Sequence, residues 1–124
     1  MLRPKALDHV GLIVTDMERS RHFYEALGAE FVRYPRRPGG ATVLKIGGME
    51  LNVFGNAAVS ANTAQLVDHL CFEMDCADMA DLLAGLSEAG IEVARGPLER
   101  SDGTAVFVHD PDGTRIELLV KDGR

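Results

Sequence analysis

The chain has 124 residues, 46% of them apolar and 26% charged, with a formal net charge of −6 at pH 7. That length suits one compact domain able to bury most of its apolar surface without disulfides, and the acidic balance argues against nucleic-acid binding, which needs a basic footprint. No run approaches the ~18 apolar residues of a membrane span and the N-terminus lacks a signal peptide's apolar core, so a cytoplasmic protein with no membrane partner is expected. Cys71 and Cys76 lack CxxC spacing and read as reduced core residues rather than a bridge or a zinc clip.

The first predicted strand starts at His9, where Val10, Leu12 and Val14 alternate with His9, Gly11 and Ile13, the period of two of a strand with one packed face. Asp16 is placed to N-cap a helix running to Leu27, with Met17, Phe23 and Leu27 on its buried side and Gly28 as its stop. Three strands follow at about 29–34, 41–46 and 49–54, with Gly47-Gly48 turning between the last two. The Arg33 to Gly40 run reads as a solvated hairpin loop with charged flanks, and less readily as an anion-recognition loop.

A linker rich in Ala, Asn and Ser, about 57–65, separates this module (about 5–56) from a second (about 66–121) with the same order of elements. Leu70, Phe72 and Met74 form one strand face, leaving His69, Cys71 and Glu73 on the other. Asp78 caps a helix whose Met79, Leu82, Leu83 and Leu86 recur at helical spacing up to Gly90. Strands are then expected at about 91–95, 104–109 and 114–120, the last two joined by the Asp110-Pro111-Asp112-Gly113 turn.

The modules read as copies of one βαβββ unit. Leu7-Asp8-His9 returns as Val67-Asp68-His69, and Gly28-Ala29-Glu30-Phe31-Val32-Arg33 returns as Gly90-Ile91-Glu92-Val93-Ala94-Arg95. The repeat gives chemical weight to His9 and His69, because a pseudo-twofold pairing of equivalent modules would make the two imidazoles neighbours. Glu117 joins them. Ile116, Leu118 and Val120 share one strand face while Glu117 points to the other among apolar neighbours, where an unpaired carboxylate is costly and a cation would offset that cost. The corresponding strand, Met49 to Phe54, offers two counterparts. Aligning Met49-Glu50-Leu51 with Ile116-Glu117-Leu118 selects Glu50; aligning Gly48 with Gly113 selects Asn52. A carboxylate is the better ligand for a divalent ion, which favours Glu50 by a small margin. His22, on the first helix, reads as exposed, and His109, beside the turn, as structural. Arg124 near the C-terminus could reach an anionic ligand, although terminal residues are usually disordered.

Leu7-Asp8-His9-Val10-Gly11-Leu12, Phe23-Tyr24 with Leu27-Gly28, Asp68-His69, and Asp110-Pro111-Asp112-Gly113 with Ile116-Glu117-Leu118 together resemble the vicinal oxygen chelate superfamily of glyoxalase I, fosfomycin- and bleomycin-resistance proteins, extradiol dioxygenases and methylmalonyl-CoA epimerase. Gly96-Pro97-Leu98-Glu99-Arg100 is similar to small glyoxalase-domain proteins in particular. The resemblance implies an α+β fold of two tandem βαβββ modules in a half-open barrel, around one divalent metal (Ni, Mn, Fe, Co or Zn). The implied ligands are His9, His69 and Glu117 with Glu50 or Asn52, in a homodimer acting on a small-molecule substrate. Phe54 stands where the family phrase often carries a histidine, and it cannot ligate.

The function that follows is a metal-dependent enzyme of the glyoxalase-like type, a lyase or isomerase acting on a small oxygenated or thiol-conjugated substrate. Glu117 or Glu50 would be its general base. The alternatives are an extradiol-type dioxygenase, an antibiotic-modifying thiol transferase, and a non-catalytic drug-binding resistance protein.

Overall fold

A computed structural model describes residues 3, 5–55 and 69–122. The chain divides into two compact units, Met1–Thr63 and Ala64–Arg124, a boundary that falls, like the expected linker, outside the described residues. Each unit is a helix with an open, mixed four-stranded sheet, so the α+β class and the repeated βαβββ order are both present.

In the first unit β1 (His9–Val14), β2 (Glu30–Arg33), β3 (Thr42–Ile46) and β4 (Met49–Gly55) are ordered β1-β4-β3-β2, with α1 (Met17–Ala26) between β1 and β2. β1 runs parallel to β4, pairing His9 with Glu50 and Gly11 with Asn52. The alternation of strand side chains then sorts the sheet into two faces. One holds Val14, Leu51, Val53, Thr42, Leu44 and Ile46, all buried. α1 lies against this face, because a Cβ on Gly55 would sit 3.5 Å from Met17 Cβ. The other face carries His9, Gly11, Glu50, Asn52, Val43 and Lys45.

Asp16 caps α1 as expected, its Oδ1 accepting from the Arg19 N–H at 3.1 Å. The fully buried helix residues are Ser20 and Tyr24, whereas Met17 and Phe23 are half-buried. The stripe thus runs Met17, Ser20, Tyr24, Leu27, a spacing of three to four that rotates Phe23 to its flank. Arg21 ties the helix to β2: its guanidinium carbon lies 3.9 Å from the centre of the Phe31 ring, and it donates to Glu25 and, at 2.8 Å, to Tyr34 Oη. The loop beyond closes on itself through the Gly40 N–H to the Arg37 carbonyl, 3.0 Å.

The second unit repeats the plan. β5 (Leu70–Glu73), α2 (Met79–Glu88), β6 (Arg95–Arg100), β7 (Gly103–His109) and β8 (Arg115–Lys121) give the sheet β5-β8-β7-β6, with β5 parallel to β8. Leu82 and Leu86 are the buried residues of α2, and Asp78 caps it by accepting from the Asp81 N–H at 2.9 Å. Asp110 builds the turn before β8, its Oδ1 accepting from the Asp112 and Thr114 N–H groups at 3.0 and 2.7 Å.

One strand differs from expectation. The segment expected at 91–95 lies outside the ladder except for its last residue, and the strand is 95–100. Gly96 and Pro97 are accommodated there because β6 is the edge strand, where a proline's missing N–H leaves no ladder bond unmade. The register shifts between Arg95 and Leu98 to accommodate them. Neither cysteine is in the core: Cys71 is exposed and Cys76 intermediate, and both are free thiols.

Candidate functional site

In the second unit the β5/β8 register sets Cys71 beside Glu117, and the β7/β8 register sets Phe107 on the other flank of Glu117. His69 stands one residue before β5 on the same face. Its Nε2 lies 3.1 Å from Glu117 Oε1, while Arg100 Nε, reaching in from β6, donates to Oε2 at 3.1 Å. The carboxylate is only 10% exposed, against 35% for the His69 side chain and 37% for Arg100. A carboxylate that deep requires partners, and each oxygen has one. The His69 ring also meets Phe107 edge to face, centroids 5.8 Å apart. Partial burial, and after it the Glu117 carboxylate, pushes the Cys71 thiol above its ordinary value.

This pair fits a divalent cation. Nitrogen and oxygen ligands at about 2.0–2.2 Å from an ion, subtending a right angle to a tetrahedral one, are roughly 2.9–3.5 Å apart, and the His69 and Glu117 donor atoms are 3.1 Å apart. Arg100 occupies the other oxygen, the kind of outer hydrogen bond that orients a ligating carboxylate and leaves one oxygen for the ion.

In the first unit His9 Nδ1 is 2.8 Å from Asp8 Oδ2. In the neutral ring that bond holds the proton on Nδ1 and leaves the Nε2 lone pair for another partner. The registers also decide between the two sequence alignments. Val10 pairs with Leu51 as Leu70 pairs with Ile116, so the residue equivalent to Glu117 is Asn52, and Glu50 is equivalent to Arg115. Their surroundings differ too. Glu50 is exposed with Lys45 across from it, whereas Asn52 Oδ1 is buried without a hydrogen-bond partner among the described residues, the condition of a donor atom that a ligand would satisfy.

Among the described residues no group of three or more His, Cys, Asp and Glu side chains is gathered for a metal ion. The structure brings His69 and Glu117 together, and sets His9 beside Glu50 in the register of one sheet. His22 is exposed, its side chain 78% accessible, and His109 ends β7 opposite Arg115. Sequence reasoning missed Arg100, which donates to Glu117, and Phe107, its register partner on β7. Reading 95–100 as a strand would have put Arg100 on the Glu117 face, but the Gly-Pro pair concealed it.

The sequence profile of the glyoxalase/bleomycin resistance protein/dioxygenase superfamily matches residues 6–118, both modules nearly end to end. The chain belongs to that superfamily. Relatives include the glyoxalase domain-containing protein RDO1 of Mycosarcoma maydis, 29% identical over 94% of this chain and 69% of that protein. Virulence protein STM3117 of Salmonella typhimurium is 30% identical over 90% of this chain and 81% of its own length. Among solved structures, a glyoxalase/dioxygenase from Nostoc punctiforme superposes with a TM-score of 0.78 at 26% identity, covering 98% of this chain and 96% of that one. Superfamily membership accounts for the duplicated βαβββ plan. No helix among the described residues is long and apolar enough to cross a membrane.

Proposed function

We propose that this member of the superfamily is a metal-dependent enzyme of the glyoxalase-like type, a lyase or isomerase acting on a small oxygenated or thiol-conjugated substrate. The observation that carries the reading is the His69–Glu117 pair, two ligating atoms 3.1 Å apart with Arg100 on the far carboxylate oxygen. His69 and Glu117 are the ligands from the second module. His9 and either Asn52 or Glu50 are those from the first, and the register together with the orphaned Oδ1 supports Asn52. A bound divalent ion supplies Lewis acidity to substrate oxygens.

The protein's own groups divide the remaining work. Glu117, with one oxygen held by Arg100 and the other facing His69, is placed to ligate rather than to shuttle protons. Glu50 is an exposed carboxylate on the same sheet face as His9, able to accept a proton from a carbon acid brought within hydrogen-bond reach. The ring-cleaving, thiol-transfer and drug-sequestering alternatives have no separate observation behind them.

The test is metal content by inductively coupled plasma mass spectrometry on protein purified without chelator, beside His69→Ala. About one equivalent of a divalent transition metal per chain, lost in the variant, is the expected result. Failure of wild-type protein to retain Ni²⁺, Mn²⁺, Fe²⁺, Co²⁺ or Zn²⁺ after incubation and desalting would overturn the reading.

A further inference from the structure

We propose that Arg95 and Arg100 form an anion-binding subsite beside the His69–Glu117 pair, and that the substrate handled there carries an oxyanion group, a carboxylate or a phosphoryl. The inference rests on the reading of that pair as the reacting centre and adds to it the chemical class of the molecule.

Three guanidinium carbons surround the Phe107 ring: Arg100 at 5.6 Å from its centroid, Arg95 and Arg115 at 6.0 Å. So much positive charge around one side chain is unexpected in a chain of net charge −6. A guanidinium lying over an aromatic ring is held through its flat face, which leaves its N–H edge available to an acceptor. Phe107 is itself 7% exposed, so the ring is a fixed base that cannot swing away with its arginines.

The donors are unused. The Arg95 side chain makes no ion pair or hydrogen bond among the described residues. Arg100 spends only Nε on Glu117, leaving both terminal amino groups without a partner there. Arg115 has other partners and adds charge rather than donors. Glu117, the carboxylate paired with Arg100, is shared with His69, and the Arg95 side chain has no carboxylate partner among the described residues, so these two guanidiniums keep a net positive charge. Asp102, in the β6–β7 turn, reaches Cys71 with its field but forms no ion pair with either arginine among the described residues. A guanidinium fork matches carboxylate and phosphoryl oxygens two at a time, and β6 presents two such forks on the strand next to Phe107. Because the chain as a whole repels anions, affinity must come from these short-range bonds and fall with added salt.

The experiment uses full-length protein stripped of metal with chelator and desalted, so that an anion cannot be captured by an ion. Methylphosphonate and inorganic phosphate are titrated at low ionic strength and followed by 31P NMR and calorimetry. Wild type is expected to saturate with millimolar affinity weakened by salt. Arg95→Gln and Arg100→Gln are each expected to weaken binding by at least about threefold, and together by about tenfold or more. Lys45→Gln, on the other module, leaves binding unchanged. Arg95→Lys with Arg100→Lys keeps the charge but removes both forks; severalfold weaker binding is expected of it, and it serves if the Gln pair does not fold. No saturable binding by the stripped wild type would overturn the proposal. So would a folded double variant, Gln or Lys, that binds as wild type does. Metal uptake is measured separately, so failure here leaves the metal reading standing, and failure there with saturable anion binding here leaves an anion site without the reacting centre beside it.

Discussion

Cutting the link between Arg100 and Glu117 tests the organisation of the site most directly. The proposed perturbation is a double-mutant cycle of Arg100→Met and Glu117→Gln. Methionine keeps an apolar stem over Phe107 while deleting the charge. Glutamine keeps the shape of Glu117 and one acceptor oxygen. Nε and Oε2 are 3.1 Å apart, with the carboxylate 10% and the arginine 37% exposed. At a charge separation near 4 Å the attraction is about 1 kcal/mol in water and about 4 kcal/mol at the effective dielectric of a protein surface. The arginine's exposure pulls the value toward the lower bound, and desolvating the carboxylate offsets more of it. A coupling of about 1–1.5 kcal/mol follows, above the usual range for fully exposed pairs and well below the cost of breaking a buried one. Urea unfolding of the four proteins at 25 °C measures it, once in low salt and once in 1 M NaCl, where screening should reduce it. A coupling under about 0.3 kcal/mol, within the scatter of independent sites, would refute the view that Arg100 holds Glu117 in place.

Other outcomes follow from single positions. A Cβ on Gly103 would overlap the Val120 carbonyl oxygen and stand 2.8 Å from Lys121 Cα; both are backbone, so Gly103→Ala should cost about 2–4 kcal/mol, and a melting temperature equal to wild type would contradict the packing. Asn52→Val removes a buried acceptor that lacks a partner, so metal-free protein should gain up to about 1 kcal/mol while losing metal affinity; lower stability of the metal-free variant would show that Oδ1 is satisfied. Asp110→Ala forfeits two turn bonds and should cost about 1–2 kcal/mol in chemical denaturation, an effect near zero counting against the turn. The Cys71 thiol is pushed up by burial and then by Glu117, so in a Cys76→Ser background it should react with a disulfide reagent at pH 8 more slowly than free cysteine, and faster once Glu117→Gln is added. Its linkage has the matching sign: a folded value above the unfolded one contributes stability below the ordinary thiol range, lost as pH rises through the folded value. Reaction at the free-cysteine rate would remove the basis for both statements.

Periodicity exposed much of the fold because β1 and β4 each bury one parity of residues more deeply than the other, and because Asp16 and Asp78 make the same capping bond, whereas β7 and β8 bury both parities through their middles and read simply as apolar runs. The repeated Asp-His phrase located His69, and the strand parity of Ile116, Leu118 and Val120 located Glu117. Three things were hidden for physical reasons. Tyr24 is fully buried although an aromatic with a hydroxyl reads as ambiguous, and its neighbour Phe23 took the core assignment. β6 carries Gly96-Pro97, tolerable only at an edge, and whether a strand is an edge is a property of the assembled sheet. Which of Glu50 and Asn52 is structurally equivalent to Glu117 turned on a gap of two residues, which parallel pairing to β1 fixes as Asn52 and local pattern cannot.

That parallel pairing also orders events in time. In each module the first strand is zipped to the last, so joining β5 to β8 closes a loop that holds α2, β6 and β7, a step expected to come late. The antiparallel hairpins β6–β7 and β7–β8 are local and can form early, carrying Arg100, Phe107 and Glu117 into register together. His69 arrives with a four-residue outer strand, the segment with the largest loop entropy to overcome and the fewest bonds to hold it. Its amides should therefore exchange with solvent before those of β7 and β8. Half of the His69–Glu117 pair is thus a standing scaffold, and the other half docks onto it by an equilibrium of its own.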